Sequence, residues 1–368
     1  MNLQHTKLFL FFLVLLFGCD LVSAQTVWHN PLNESKDMVQ GIALPAEVGK
    51  NFGRLAANTK DLVRPEVWSL SQNTAGLYIE FKTNAQKIAV RYTTVGMRAM
   101  PHMPSTGVSG LDLFVHSKDA WAWSPGQYSF KDTVSYIFDN LPVQKGVYRL
   151  YLPLYCGVKW LEIGVDTKHA FEFVLPEEEQ PIVIYGTSIA QGGCASRPGL
   201  AWPAILGRNL NQPVINLGFS GNGRLEKPII DVMAKVKAKL YILDCIPNLG
   251  SKTLYPEEEL RKRVYAAVEE LQLKQPNTPI LLAEHSGGND YQLLDSAKNE
   301  GFRLSSAILN KLYKELIAKG KKNLYLLTTK EIGFTANSTV DGAHPNDIGM
   351  MENALAVEKV YKKIFKLK

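Results

Sequence analysis

The first half of the chain carries short runs in which apolar and polar residues alternate. Between residues 67 and 165, Gly and Pro punctuate these runs, and no stretch of comparable length has helical spacing. A period of two residues is typical of half-buried β-strands, and many such strands in succession indicate a sandwich. We therefore predict an all-β, jelly-roll-like sandwich over residues 25–175. The runs lie at 77–81, 88–92, 111–115, 148–152 and 160–163.

The pattern changes after an acidic, proline-bounded segment at 175–181, which has the composition of a linker. Short apolar runs then alternate five times with longer amphipathic stretches. This alternation predicts an α/β domain over 176–368, in which helices cover both faces of a parallel sheet and ligands bind at the carboxyl ends of its strands. The predicted strands are 182–185, 214–217, 240–243, 280–283 and 324–327, and the predicted helices are 204–209, 229–237, 256–274, 302–319 and 346–365.

The composition is that of a globular protein and excludes several other classes. Of 368 residues, 46% are hydrophobic and 21% are charged, and there is no low-complexity tract, which excludes disordered, collagen-like and coiled-coil proteins. The 41 Lys and Arg exceed the 35 Asp and Glu by six, but the signs are interspersed until the C-terminal end. The sequence therefore predicts no nucleic-acid partner.

The N-terminus has the features of an export signal. Lys7 precedes an unbroken apolar run at 8–17, and small residues precede Gln25, which predicts a signal peptide over residues 1–24. An alternative remains open, because residues 16–19 resemble a lipoprotein box in which Cys19 would be lipidated. No later apolar run reaches the roughly 18 residues of a membrane helix. We expect an exported protein, periplasmic or secreted, with no membrane span.

Three cysteines follow the predicted cleavage site, namely Cys156, Cys194 and Cys245. They are widely separated and show no CxxC or Cys/His spacing, so the sequence predicts neither a disulfide framework nor a metal site. A bridge between Cys194 and Cys245 is one alternative, because both follow strands that should be neighbours. Buried free thiols are the other.

Residues with candidate chemistry follow the strands of the second half. Ser188 lies at a glycine-flanked strand-to-helix turn, which would present its hydroxyl at the sheet edge as a nucleophile requires. Near the other end, Asp341 and His344 share a Gly/Pro-rich loop, where His344 can take the serine proton while Asp341 holds the second ring nitrogen. The alternatives are structural: Ser188 as a helix N-cap, and an Asp-Gly turn followed by a capping histidine.

Two further strand ends offer hydrogen-bond donors for a transition state. The backbone N–H groups of Ser188 and Gly218, with the side-chain amide of Asn248, would form an oxyanion hole. The glycine-rich stretch 218–223 lacks the lysine and the spacing of a phosphate loop, so no nucleotide site is predicted.

Ser188, Gly218, Asn248 and His344, in this order and each after a sheet element, resemble the four invariant blocks of the SGNH (GDSL-type) hydrolases. The resemblance covers residues 181–368. It implies a serine esterase with a flavodoxin-like three-layer α/β fold. The usual Gly-Asp-Ser is Gly-Thr-Ser here, and the usual GxND lacks both its glycine and its aspartate.

The first half resembles the β-sandwich that precedes the catalytic domain in a bacterial branch of this family. Residues 110–114, Gly-Leu-Asp-Leu-Phe, are similar to the GxDLY signature of that branch, with Phe for Tyr. The resemblance implies a two-domain protein of the kind typical of polysaccharide-degrading gut bacteria.

Two more residues are candidates for substrate binding. Arg197 follows Ser188 by nine residues and either contacts substrate or braces a turn. His285 follows the fourth predicted strand and would line the cleft. No carboxylate stands at the short spacing that joins Asp341 to His344, so we do not expect His285 to be the catalytic base.

These observations predict an exported serine esterase that hydrolyses short-chain acyl esters, in particular acetyl esters, of a carbohydrate. We expect an acylated carbohydrate as the substrate partner, with no cofactor and no metal. Two alternatives remain open: a lipase- or thioesterase-type hydrolase acting on another acyl ester, and a carbohydrate-binding protein without activity.

Overall fold

The computed structural model describes residues 25–117, 120–143, 146–176, 178–287 and 294–367. The predicted signal peptide and Cys19 lie outside the described residues. None of the helices in the described ranges is long and apolar enough to cross a membrane. Cys156, Cys194 and Cys245 are free and buried.

The first half is a sandwich of two antiparallel sheets, as predicted. One sheet has the order β1-β10-β4-β8-β7, and the other has the order β11-β3-β9-β5-β6 with β2 paired to β3. Side chains from both sheets form one core, which explains the alternation along strands such as β8, where every second residue is buried. The strands are β1 Thr26–His29, β2 Val39–Gln40, β3 Tyr78–Thr83, β4 Ile88–Val95, β5 Asp112–Ser117, β6 Ala120–Ser124, β7 Gln127–Phe130, β8 Val134–Phe138, β9 Val147–Tyr151, β10 Gly157–Asp166 and β11 Phe171–Phe173.

Three short helices interrupt this half, and the alternation did not predict them. They are α1 Pro45–Val48, α2 Pro65–Ser71 and α3 Ser105–Val108. Each has at most seven residues, too few for a helical period to show in the sequence. A proline in the first turn sets the start of α1 and of α2.

The second half is a parallel sheet of five strands in the order β13-β12-β14-β15-β16. This is the flavodoxin-like order 2-1-3-4-5, and each predicted strand is confirmed to within one residue at its ends. The strands are β12 Ile182–Gly186, β13 Val214–Gly218, β14 Leu240–Asp244, β15 Ile280–Ala283 and β16 Leu324–Leu327. The helices are α4 Ser188–Gln191, α5 Trp202–Leu210, α6 Lys227–Ala234, α7 Glu257–Lys274, α8 Ser296–Ala318, α9 Thr329–Ile332 and α10 Asp347–Phe365.

Helices cover both faces of this sheet and complete the predicted three layers. On one face the strands pack against α6, α7 and α8, and on the other against α5 and α10. The first half contributes to both cores: Leu55 and Val67 pack into the first, and Met103 and Tyr155 pack into the second. The sandwich and the parallel sheet are therefore joined by shared apolar packing, which fixes loops of the first half beside the carboxyl ends of the strands.

Candidate active site

Ser188 is the first residue of α4, directly after β12. The N-cap of this helix is Thr187, whose hydroxyl accepts from the N–H of Ile189 at 3.3 Å. Because Thr187 fills the capping role, the Ser188 hydroxyl is available for another partner. Its Oγ lies 2.8 Å from Nε2 of His344.

Asp341 lies on the opposite side of the same imidazole. Its Oδ2 is 2.7 Å from Nδ1 of His344, and its Oδ1 accepts from the backbone N–H groups of Ala343 at 3.0 Å and His344 at 2.8 Å. Partial burial raises the pKa of Asp341, but the hydrogen bonds from His344 outweigh it and bring the pKa to about 2. The ionised carboxylate accepts the Nδ1 proton, and this tautomer leaves Nε2 as the acceptor for the Ser188 hydroxyl.

Asn248 ends a 3₁₀ turn that follows β14. In the amide orientation that satisfies its neighbours, its side-chain oxygen accepts from the backbone N–H groups of Asn222 and Gly223, each at 3.0 Å. The oxygen is thus held by the loop that follows β13. The Nδ2 amino group is left as a donor, as an oxyanion hole requires.

Gly218 does not fit the role that the sequence predicted for it. Its N–H donates to Oδ1 of Asn216, two residues earlier, at 2.8 Å. Asn216 is buried and its amide nitrogen donates in turn to the carbonyl of Ala190. The Gly218 N–H is therefore engaged in joining β13 to helix α4 and is not available to an oxyanion.

Gly221, three residues later, offers a backbone N–H that sequence reasoning did not single out. Within the part of the chain that the structure describes, the N–H groups of Gly221 and Ser188 have no acceptor. The loop around Gly221 packs on the nucleophile turn, because the N–H of Phe219 donates to Gly186 O at 3.0 Å and that of Ser220 to Gln191 Oε1 at 2.9 Å. Gly221 has φ +70°, a conformation that favours glycine. The glycine-rich run itself was the available signal, but the run contains three glycines and does not distinguish them.

His285 is close to the site but does not line an open cleft. Only 2% of its surface is exposed, its ring stacks on Phe302 at 3.6 Å between centroids, and its Nδ1 accepts from the N–H of Gly287 at 2.8 Å. Burial lowers the pKa of His285 to about 3, so the ring is neutral. The structure thus gives His285 a packing role instead of the predicted contact with substrate.

Arg197 braces the two halves of the molecule. Its Nη1 donates to Oδ2 of Asp112 at 2.6 Å, and its guanidinium lies 4.0 Å from the ring centroid of Trp123. Asp112 is the acidic residue of the GxDLY-like run and also accepts from Trp123 Nε1 at 2.6 Å and from Gly199 N at 3.0 Å. Of the two possibilities left open by the sequence, these contacts favour the structural one.

The side chain of His102, from the first half, lies beside the site. The ring of His102 lies 6.1 Å from the ring of His344 between centroids, and its side chain is exposed. Its loop is fixed on the second half, because buried Met103 packs there and the hydroxyl of Thr106 donates to Ser196 O at 2.7 Å. The site therefore has one wall from each half.

No group of three or more His, Cys, Asp or Glu among the described residues is arranged to hold a metal ion. The arrangement that is present can accept a proton from Ser188, stabilise the resulting imidazolium with Asp341, and offer donors to an oxyanion. These are the parts required for acyl transfer through a serine ester.

Comparison with known proteins gives both halves a counterpart. A model described as the GDSL-like lipase/acylhydrolase family matches residues 179–362, and the GxDLY model, described as the N-terminus of SGNH-hydrolase-type esterases, matches residues 26–171. No curated protein sequence matches the chain.

Solved structures of similar fold include three that extend over both halves. A chain from Bacteroides ovatus described as a GDSL-like lipase is 30% identical, with a TM-score of 0.84 over 94% of this chain and 99% of that one. A salicylyl-acyltransferase from a tetracycline biosynthetic pathway is 17% identical, with a TM-score of 0.69 over 93% of this chain and 96% of that one. An acetyl xylan esterase from the rumen bacterium Butyrivibrio proteoclasticus is 11% identical, with a TM-score of 0.53 over 92% of this chain and 99% of that one.

Proposed function

Because the chain belongs to the GDSL-like lipase/acylhydrolase family, as its motifs predicted, we propose that it is an exported serine esterase that removes short acyl groups, above all acetyl groups, from a carbohydrate. The observation that carries this proposal is the continuous hydrogen-bonded chain from Ser188 through His344 to Asp341. Both the family and the geometry of these three residues support ester hydrolysis of the SGNH type.

In the first half-reaction, His344 Nε2 takes the hydroxyl proton while Ser188 Oγ forms a bond to the ester carbonyl carbon. Asp341 stabilises the imidazolium and is not itself protonated. The tetrahedral intermediate collapses when the C–O bond to the alcohol breaks and His344 returns its proton to the leaving alkoxide. In the second half-reaction, water attacks the acyl-serine with His344 again as base, and the carboxylic acid leaves.

The negative oxygen of each tetrahedral intermediate needs donors that are in place before charge develops. We assign this role to the backbone N–H groups of Ser188 and Gly221 and to Nδ2 of Asn248. The loop that carries Gly221 also holds the Asn248 oxygen. One loop thus sets the position of two of the three donors.

The preference for a short acyl group rests on the space around the nucleophile. Ser188 is 7% exposed. A β-carbon added at Gly193 would lie 2.8 Å from the hydroxyl oxygen of Tyr155 and 3.5 Å from Cδ2 of His344. The molecule is thus closely packed beside Gly193, which favours a short acyl group on this side, and we assign the polar alcohol to the side of the exposed His102.

The carbohydrate as acyl carrier is supported by the predicted export signal and by the fold shared with an acetyl xylan esterase. Release of acetate from acetylated xylan and mannan, measured beside a series of p-nitrophenyl esters, tests the proposal. We expect acetate release that Ser188→Ala abolishes, and kcat/KM that falls from acetyl to butyryl to octanoyl esters. A preference for octanoyl esters would support the lipase alternative. No turnover of any ester would support the inactive binding protein.

A further inference from the structure

A cavity of about 320 Å³ lies between the sandwich and the parallel sheet. Its walls include β2, β3 and β9 on one side and Pro213, Val214 and Ile215 at the start of β13 on the other. Ser188 follows the opposite, carboxyl end of the sheet. The five residues of β13 separate the two edges by roughly 15 Å at about 3.3 Å per residue. We call this space the interdomain cavity.

The wall of the interdomain cavity carries a buried polar network. Glu80 and Arg149 are only 7% and 9% exposed, and Oε1 of Glu80 accepts from Arg149 Nε at 2.8 Å and Nη2 at 2.7 Å. Gln40, also buried, donates from its amide nitrogen to Glu80 Oε2 at 3.3 Å and to Val174 O at 3.2 Å. Among the described residues nothing donates to the Gln40 side-chain oxygen, so this oxygen remains as an acceptor.

Aromatic side chains hold the network in place. The guanidinium of Arg149 lies between Tyr78 and Trp121, at 4.4 and 4.5 Å from the ring centroids. The ring of His116 stacks on Trp121 at 4.6 Å. The indole N–H of Trp121 is buried and has no acceptor in the described ranges. Other atoms of Trp121 line the cavity, so a ligand bound there would change the surroundings of this ring.

The charge of the lining restricts the class of ligand. Three carboxylates, Asp37, Glu80 and Glu179, and one guanidinium, Arg149, are among the lining residues. The lining is therefore net negative, which disfavours phosphates, uronates and other anions. A neutral ligand that carries hydrogen-bond donors can instead pair with the Gln40 oxygen, and a sugar hydroxyl supplies such a donor.

We propose that the interdomain cavity is a second, non-catalytic binding site for neutral sugar units of a polysaccharide. The volume suits one or two sugar rings, and cavities at domain interfaces are common ligand sites. The inference rests on the proposed function for the choice of a glycan as ligand. A chain held at this cavity would raise the local concentration of its own acyl groups near Ser188, since the second contact becomes intramolecular.

The test uses unacetylated cellohexaose, xylohexaose and mannohexaose with full-length mature protein carrying Ser188→Ala. The six tryptophans give one indole N–H signal each in a proton–nitrogen correlation spectrum, and the signal that Trp121→Phe removes belongs to Trp121. We expect at least one hexaose to shift this signal with saturation. Gln40→Leu should weaken binding of that hexaose about fivefold in a calorimetric titration, as loss of one hydrogen bond predicts.

Gln127→Leu is the matched control, because Gln127 is exposed on β7 of the other sheet, and this variant should bind the hexaose like the parent. Gln212→Trp fills the rim of the cavity from a half-buried position and should abolish binding even if Gln40→Leu folds poorly. An unshifted Trp121 signal with all three hexaoses, or equal affinity in Gln40→Leu and the parent, would overturn the inference. Tighter binding of an oligogalacturonate would overturn the assignment of a neutral ligand.

This test is independent of catalysis. If p-nitrophenyl esters are not hydrolysed by the wild-type protein but a hexaose shifts the Trp121 signal, the proposed function fails and the binding site stands. If esters are hydrolysed and no hexaose binds at Trp121, the proposed function stands and the second site is wrong.

Discussion

The guanidinium of Arg54, from the first half of the chain, donates to the carbonyl oxygen of Gly218 at 2.8 Å, at the carboxyl end of β13. The same nitrogen reaches Asn216 O at 3.1 Å, and the group lies over the ring of Phe219 at 4.8 Å. Arg54 is 1% exposed, and burial lowers its pKa to about 9. A cation from one half therefore fixes the strand end from which the proposed oxyanion loop begins.

Arg54→Lys should lower both stability and kcat. Lysine keeps the charge but cannot reproduce the planar fork that serves several carbonyls at once. We expect the free energy of unfolding to fall by about 2–3 kcal/mol and kcat for p-nitrophenyl acetate to fall with little change in KM, because the loop donors act on the transition state. Urea unfolding and steady-state kinetics measure the two effects. Lys262→Arg, the reverse exchange at an exposed position on α7, is the control and should change neither. A stable Arg54→Lys enzyme with normal kcat would contradict the positioning role.

Ser188→Ala and His344→Ala should each lower kcat by roughly 10⁴–10⁶, since nucleophile and base act as a unit. Asp341→Asn should lower kcat by a smaller factor, because the acid orients the base and does not exchange protons. Circular dichroism should show all three variants folded. Wild-type turnover in Ser188→Ala would mean that another residue is the nucleophile.

Asn248→Ala should lower kcat by roughly 10²–10³ with little change in KM. A phosphonate that becomes attached to Ser188 mimics the oxyanion and separates the two glycines. The amide proton of Gly221 should shift strongly in the NMR spectrum of the adduct, and that of Gly218, held by Asn216, should move little. A large shift at Gly218 instead would restore the assignment made from the sequence.

His102→Ala should affect the alcohol side of the reaction more than the acyl side. Its exposed ring near His344 is placed to contact a polar leaving group. We expect a larger loss of kcat/KM for an acetylated oligosaccharide than for p-nitrophenyl acetate. His102→Gln, which keeps a hydrogen-bonding side chain, should lose less kcat/KM on the oligosaccharide than His102→Ala. Equal losses on the two substrates would argue for a general effect on the loop.

Asp244→Asn should stabilise the protein most at high pH. Burial raises the pKa of Asp244 to about 8, and its Oδ2 has no partner in the described part of the chain. Between about pH 4 and pH 8 the unfolded chain loses this proton and the folded chain keeps it, so stability falls as pH rises through this window. The Asn variant lacks this ionisation. Urea unfolding at pH 5, 6.5 and 8 should show a gain over wild type that increases with pH, and a gain independent of pH would contradict the assignment. The exposed Asp61→Asn is the control.

The pattern of apolar residues predicted all five parallel strands, because burial acts on each residue along its own strand. In the sandwich it predicted five of the eleven strands that the structure describes, and β1, β2, β6, β7, β8 and β11 lie outside the predicted runs. Ser188, Asp341, His344 and Asn248 could be proposed as one site for a related reason: parallel strands bring their carboxyl ends to one edge, so residues that follow different strands become neighbours.

What the sequence could not decide was which polar group remains free after folding. The N–H of Gly218 is taken by the side chain of Asn216, and that of Gly221 is not. His285 and Arg197 have the residue types of a binding site, but Phe302 covers one and Asp112 holds the other.

The contacts between the two halves were also beyond reach from the sequence. Arg54 and Gly218 are 164 positions apart, and no local period links them. Periodicity records which residues are buried, because burial acts on each residue along its own strand or helix. The partners of a polar side chain depend on how distant elements pack, and in this protein only the tertiary structure decided them.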